Sequence, residues 1–111
     1  MLKGIIVLIP FPFTDLSGKK IRPALVLHNQ LGGEDCIVAF ISSIKQKTTG
    51  MYDVPIQASE YNGLKVDSVI KVSKIATLQK KIVIGKLGLL ESAQMSEVNK
   101  KIAKLFKIEL L

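Results

Sequence analysis

The apolar positions of this chain fall in short runs separated by turn formers. Ile5 to Ile9 is an unbroken run of β-branched residues and leucine, which predicts a strand buried on both faces. Pro10 and Pro12 each lack a backbone donor and should end it. Thr14 to Lys20 is rich in turn formers, with Ser17-Gly18 at the tip. Pro23 drives Arg22 into an extended conformation. A proline can open a strand but not sit centrally in one, so the second strand is expected from Pro23 to His28. Asn29 to Asp35 reads as a loop turning at Gly32-Gly33. Cys36 to Ile41 is a third strand, with Ser42-Ser43 at its end, and Lys45 to Gly50 is a basic loop. Tyr52 to Ile56 predicts a short strand, placed at a sheet edge by Pro55. Tyr61 to Leu64 is a turn and Asp67 to Ser73 a further strand. Ile75 to Lys81 is expected to form a turn or short helix, and Val83 to Leu90 to hold one more short strand.

The period changes at the end of the chain. Met95, Val98, Ile102, Leu105 and Phe106 recur at intervals of three and four and predict one apolar helical stripe. Ser92 is the candidate N-cap. Lys100, Lys101, Lys104 and Lys107 lie largely off the stripe and toward the C-terminal end, where cations suit the helix dipole. Several short strands and one terminal helix predict a small, strongly bent sheet or barrel with a helix packed on it.

Length and composition then narrow the class. The 111 residues suit one domain, 1–111, and 48% hydrophobic residues suffice for a core. With 5% aromatics and no Trp, that core must be Ile, Val and Leu, which favours strands. The formal net charge of +7 favours an anionic partner: nucleic acid, an acidic protein segment or an anionic membrane. Charge alone does not choose among them. The lone Cys36 excludes an internal disulfide and reads as a small buried hydrophobe. One Cys and one His, His28, argue against a zinc site, which needs three or four clustered ligands. The N-terminal apolar stretch is too short for a membrane span and lacks a small-residue cleavage site. A soluble, cytoplasmic protein that takes no metal or other cofactor is expected.

The chemistry centres on Arg22, the only arginine among sixteen basic residues. Its planar fork matches a phosphate, whereas lysine offers a point charge. It stands where a basic loop meets a strand. Around it the sequence gathers polar residues at strand ends and in the loop: Thr14, Asp15, Ser17, Lys19, Lys20, Ser42 and Ser43. Such a set can cleave RNA, because the substrate's own 2′-hydroxyl is the nucleophile. The protein then supplies donors for the charge growing on phosphorus and groups that move protons.

The stretch Gly4-Ile5-Ile6-Val7-Leu8-Ile9-Pro10-Phe11-Pro12-Phe13-Thr14-Asp15-Leu16-Ser17-Gly18, followed by Arg22-Pro23-Ala24-Leu25-Val26-Leu27, resembles the N-terminal half of the MazF/PemK toxin family. Phe40-Ile41-Ser42-Ser43, Gly63 to Ile70 and Lys86-Leu87-Gly88-Leu89-Leu90 follow in the family's order and spacing. The resemblance implies a mostly β protein, a small SH3-like barrel of the MazF/CcdB type with a C-terminal helix, that forms a homodimer. It implies a metal-independent, sequence-selective endoribonuclease that cuts single-stranded RNA to a 2′,3′-cyclic phosphate and a 5′-hydroxyl. It also implies an acidic antitoxin as partner, through which alone DNA would be contacted, and no membrane. On this resemblance Arg22 matches the catalytic arginine and Ser42 the hydroxyl near the scissile phosphate. Phe11 to Lys20 matches a loop that helps form the RNA channel, so Thr14, Asp15, Ser17, Lys19 and Lys20, with Ser43, are expected to contact RNA. Three positions depart from the family: Gly4-Ile5 replaces a glycine-aspartate pair, no Glu occurs between Met1 and Arg22, and Ala76 stands where many members carry Arg. The alternative is a non-catalytic member of the fold that acts by binding an antitoxin–operator complex or a gyrase-type target.

Overall fold

The computed structural model describes residues 2–11, 20–44 and 50–109. Six strands form one antiparallel sheet: β1 (Ile5–Phe11), β2 (Lys20–Asn29), β3 (Asp35–Ser43), β4 (Asp53–Ile56), β5 (Ser68–Gln79) and β6 (Gly85–Leu89). The helix α1 (Ser92–Leu105) follows them. The spatial order is β4-β5-β3-β2-β1-β6, and the sheet curls into a half-barrel. The bent, mostly β architecture expected from the sequence is therefore present, with β4 at an edge as Pro55 required.

Alternation along the strands builds two cores, one on each face. Ile6, Leu25, Ala39, Ile41, Ile70 and Val72 belong to the first, which α1 covers through Val98, Met95, Ile102 and Leu105. Val7, Ile9, Ala24, Val26, Cys36 and Val38 belong to the second. Both faces of β1 are buried, which is why its sequence is continuously apolar.

Five expectations need correction. Pro10 does not end β1; it pairs with Ile21, and the strand runs to Phe11. Pairing of β1 with β6 stops at Leu8, so beyond it β1 has a neighbour on one side only, where a proline costs little. Likewise β2 begins at Lys20 rather than Pro23, and its ladder with β3 begins only at Ala24. Residues 75–79 are not a turn or helix but the second half of β5, paired from Ala39↔Ile75 to Asp35↔Gln79. Only Lys80–Ile82 forms a short 3-10 turn. At the helix start, Glu91 rather than Ser92 is the capping residue, and Phe106 leaves the apolar stripe to stand exposed after the last turn.

Glu91 serves the fold in another way. Its carboxylate accepts hydrogen bonds from Ser59 Oγ at 2.6 Å and from Asn62 Nδ2 at 3.0 Å. Asn62 is fully buried; it also donates to the Gln57 carbonyl and accepts from the Ser59 and Leu64 amides. Burial by itself would raise the pKa of Glu91. The hydroxyl, the amide and its own backbone N–H outweigh burial and hold it below the ordinary value. Asp53 is likewise held down, since burial is outweighed by hydrogen bonds from Lys71 and the Gly50 amide and by the charges of Lys71 and Lys74. A depressed carboxylate pKa contributes stability that is complete above the unfolded value and lost as pH falls through the folded one. Thermal midpoints should therefore be flat near neutrality and drop below pH about 4. Glu91→Gln should shallow that acid limb in a pH-dependent melting series. An unchanged limb in this variant would remove Glu91 from the account.

Candidate functional site

Where β2 and β3 stop pairing, the sheet opens. Pro23 has no N–H to continue the ladder beyond Ala24, while β3 continues to Ser43 along β5. Arg22 and Ser42 stand on the two parting strands. They line a cleft of about 230 Å³ with Phe11, Phe40, Lys71 and Lys74. That volume falls below the ~300–1,000 Å³ of drug-sized sites and suits one phosphodiester with its sugar, the rest of a chain lying in open grooves.

Arg22 is half-buried, with its guanidinium 5.4 Å from the centre of the Phe11 ring. Phe11 in turn packs edge-on against Phe40 at 5.6 Å. This contact holds the guanidinium over the ring by a cation–π attraction. The Arg22 Nε is buried and has no hydrogen-bond acceptor among the described residues. A buried donor of this kind costs about 1–3 kcal/mol until an acceptor reaches it. Nor does Arg22 form an ion pair among the described residues.

Two lysines complete the electropositive rim, and the sequence pattern did not single them out. Opposite β3, the register of β5 steps from Phe40↔Lys71 to Ala39↔Ile75, so Val72, Ser73 and Lys74 have no partner on β3. The bulge bends β5 and brings Lys71 and Lys74 to the cleft. Lys71 Nζ bonds Asp53 Oδ2 at 2.8 Å, across a directly paired position of β4. Two lysines three apart in one strand were the available signal. The bulge that gives them meaning leaves no periodic trace.

Lys20 and Ser43 do not share this cleft. They line a second groove of about 510 Å³ with Ile21, Leu64, Lys65 and Val66. Arg22, Pro23 and Ile41 border both concavities. Thr14, Asp15, Ser17 and Lys19 lie outside the described residues. His28 is exposed at the far end of β2. Among the described residues no group of three or more His, Cys, Asp or Glu side chains could hold a metal ion, and no helix is long and apolar enough to cross a membrane.

A sequence model described as the PemK-like, MazF-like toxin of type II toxin–antitoxin systems matches residues 2–106. No curated protein sequence matches the chain. Among solved structures, similarity extends to an endoribonuclease in complex with its cognate antitoxin from a mycobacterial species, at 18% identity and a TM-score of 0.76, covering 100% of this chain and 99% of that one. The Mycobacterium tuberculosis toxin MazF-mt6 is 22% identical with a TM-score of 0.76, covering 96% and 99%. A MazE-MazF crystal structure from Deinococcus radiodurans gives 19% identity and a TM-score of 0.74, covering 96% and 95%. At these identities the structural matches establish the fold.

Proposed function

Since the chain belongs to the PemK-like, MazF-like toxins of type II toxin–antitoxin systems, we propose that it is an endoribonuclease that cuts single-stranded RNA without a metal. The observation that carries this reading is the buried Nε of Arg22, without an acceptor among the described residues, in a cleft shared with Ser42. In the reaction the 2′-hydroxyl oxygen bonds to phosphorus while the bond from phosphorus to O5′ breaks. The 2′ proton leaves to a base and O5′ gains a proton, giving a 2′,3′-cyclic phosphate and a 5′-hydroxyl. Negative charge accumulates on the non-bridging oxygens, where the Arg22 fork donates to it and the Ser42 hydroxyl adds a further hydrogen bond. The Phe11 ring holds the guanidinium by the cation–π contact. Phe11, a residue 39% exposed, also offers an aromatic surface to a base.

The second groove fits the antitoxin. Ile21 and Val66 are exposed along it and Lys20 and Lys65 flank it, a combination that suits an acidic segment with apolar anchors. A homodimer that works in the cytoplasm completes the reading.

Purified protein incubated with mixed single-stranded RNA in EDTA should cleave it at preferred sites. One observation favours the non-catalytic alternative: no carboxylate lines the cleft among the described residues, and Asp53 behind it is engaged by Lys71. Gyrase inhibition with intact RNA would select that alternative and exclude the nuclease.

A further inference from the structure

The cleft presents more positive charge than one phosphodiester uses. Lys71 is matched by Asp53, but Lys74 is exposed and in no ion pair within 4 Å among the described residues. The carboxylate whose field it feels is Asp53, and Asp53 Oδ2 is already taken by Lys71 Nζ and the Gly50 amide. The position of Lys74 follows from the fold. Leu78 and Ala76, at the same parity along β5, pack into the second core, and Lys74 is the next position toward the cleft. There the apolar face ends and the bulge lifts the strand from its β3 partner. An ammonium cannot continue into that core, so it stands at the rim.

Resting on the endoribonuclease reading, we propose that Lys74, exposed at the rim, binds the phosphodiester adjacent to the one held by Arg22 inside the cleft, so that cleft and rim together hold two successive phosphates of the RNA. Arg22 is on β2 and Lys74 on β5, with β3 and Ser42 between them. Arg22 lies beyond the end of the β2–β3 ladder and Lys74 in the β5 bulge, so the two side chains reach the cleft from different strands on either side of β3. Arg22 and Ser42 therefore serve one phosphate on the β2–β3 side, and Lys74 serves its neighbour on the β5 side. A lysine fits this second task, since a flanking phosphate needs a point charge and carries no sequence information.

The test uses an RNA that the wild-type protein cleaves, with kcat and KM measured across a salt series. Lys74→Ala should raise KM about tenfold at every cleaved sequence, keep kcat within about twofold, and reduce the slope of log(kcat/KM) against log[salt] by about 0.7. Lys74→Arg should restore all three. Lys100→Ala, on the solvent side of α1, should leave them unchanged and controls for net charge. An unchanged KM and slope in Lys74→Ala, or an equal change in Lys100→Ala, would overturn the assignment. So would a fall in kcat at constant KM, which would move Lys74 to the reacting phosphate. Absence of cleavage by the wild type would instead bring down the endoribonuclease reading, and this inference with it.

Discussion

Arg22→Ala should reduce the rate of RNA cleavage by about 10²–10³-fold, the usual loss when one donor to a developing oxyanion is removed. The loss should appear in kcat, because the interaction strengthens as charge moves onto the non-bridging oxygens. Stability should change little. The side chain is half-buried, and what it gives the fold is one cation–π contact, worth about 0.5–1 kcal/mol at a site of this exposure. Among the described residues its Nε makes no hydrogen bond whose removal would be felt. Arg22→Lys keeps the charge and loses the fork, so it should recover only a small part of the rate. Single-turnover cleavage and a melting curve for each variant separate the two effects. A rate for Arg22→Ala within about threefold of wild type would show that the guanidinium is not where the charge is stabilised.

Gly63→Ala should have the largest effect on stability. Gly63 has φ +74°, a conformation that costs an L-residue about 1–2 kcal/mol. A Cβ there would also overlap the Leu87 carbonyl on β6. Overpacking against rigid backbone typically costs a further 1–3 kcal/mol, so the sum is about 2–5 kcal/mol. For a domain of this size that lowers the melting temperature by roughly 10 °C or more. The turn it closes carries Asn62 and Leu64, and hence both the Glu91 network and one wall of the second groove. Gly85→Ala is the control: no atom lies within 4 Å of its Cβ position, and its melting temperature should stay within a few degrees of wild type. Equal melting temperatures for the two variants would mean that the 61–63 turn is not seated on β6 as described.

Much of this molecule was legible because single residues carried strong local physics. The unbroken apolar run from Ile5 announced a doubly buried strand, and Pro55 an edge. The heptad-like spacing from Met95 to Leu105 announced a helix that covers a sheet face. Arg22 and Ser42 were both among the polar residues at strand ends, the family resemblance paired them, and the sheet brings them to one cleft. Ser43 has the same signature, yet alternation turns it from Ser42 to the other groove; Lys20, of the same parity as Arg22, also lines that groove, which sequence does not explain.

The misreadings share a cause: local rules that depend on which neighbour a strand has. Pro10 and Pro23 looked like strand ends. In the fold each falls where its strand has lost one partner, so the missing donor is tolerated, and at Pro23 it helps open the cleft. Residues 75–79 were expected as a turn or short helix, yet β5 runs on through the bulge at Val72, Ser73 and Lys74 and pairs with β3 again from Ile75. The bulge also aims the cationic side chains at the cleft. Glu91 was passed over because its partners, Ser59 and Asn62, lie some thirty residues away.

The most direct measurement is the chemistry of the ends left at one mapped cut in single-stranded RNA, made by the wild-type protein in EDTA. The account requires a 2′,3′-cyclic phosphate facing a 5′-hydroxyl, and no cut when the nucleotide 5′ of that bond lacks its 2′-hydroxyl. A 5′-phosphate at the cut, or undiminished cleavage of the 2′-deoxy substrate, would contradict it.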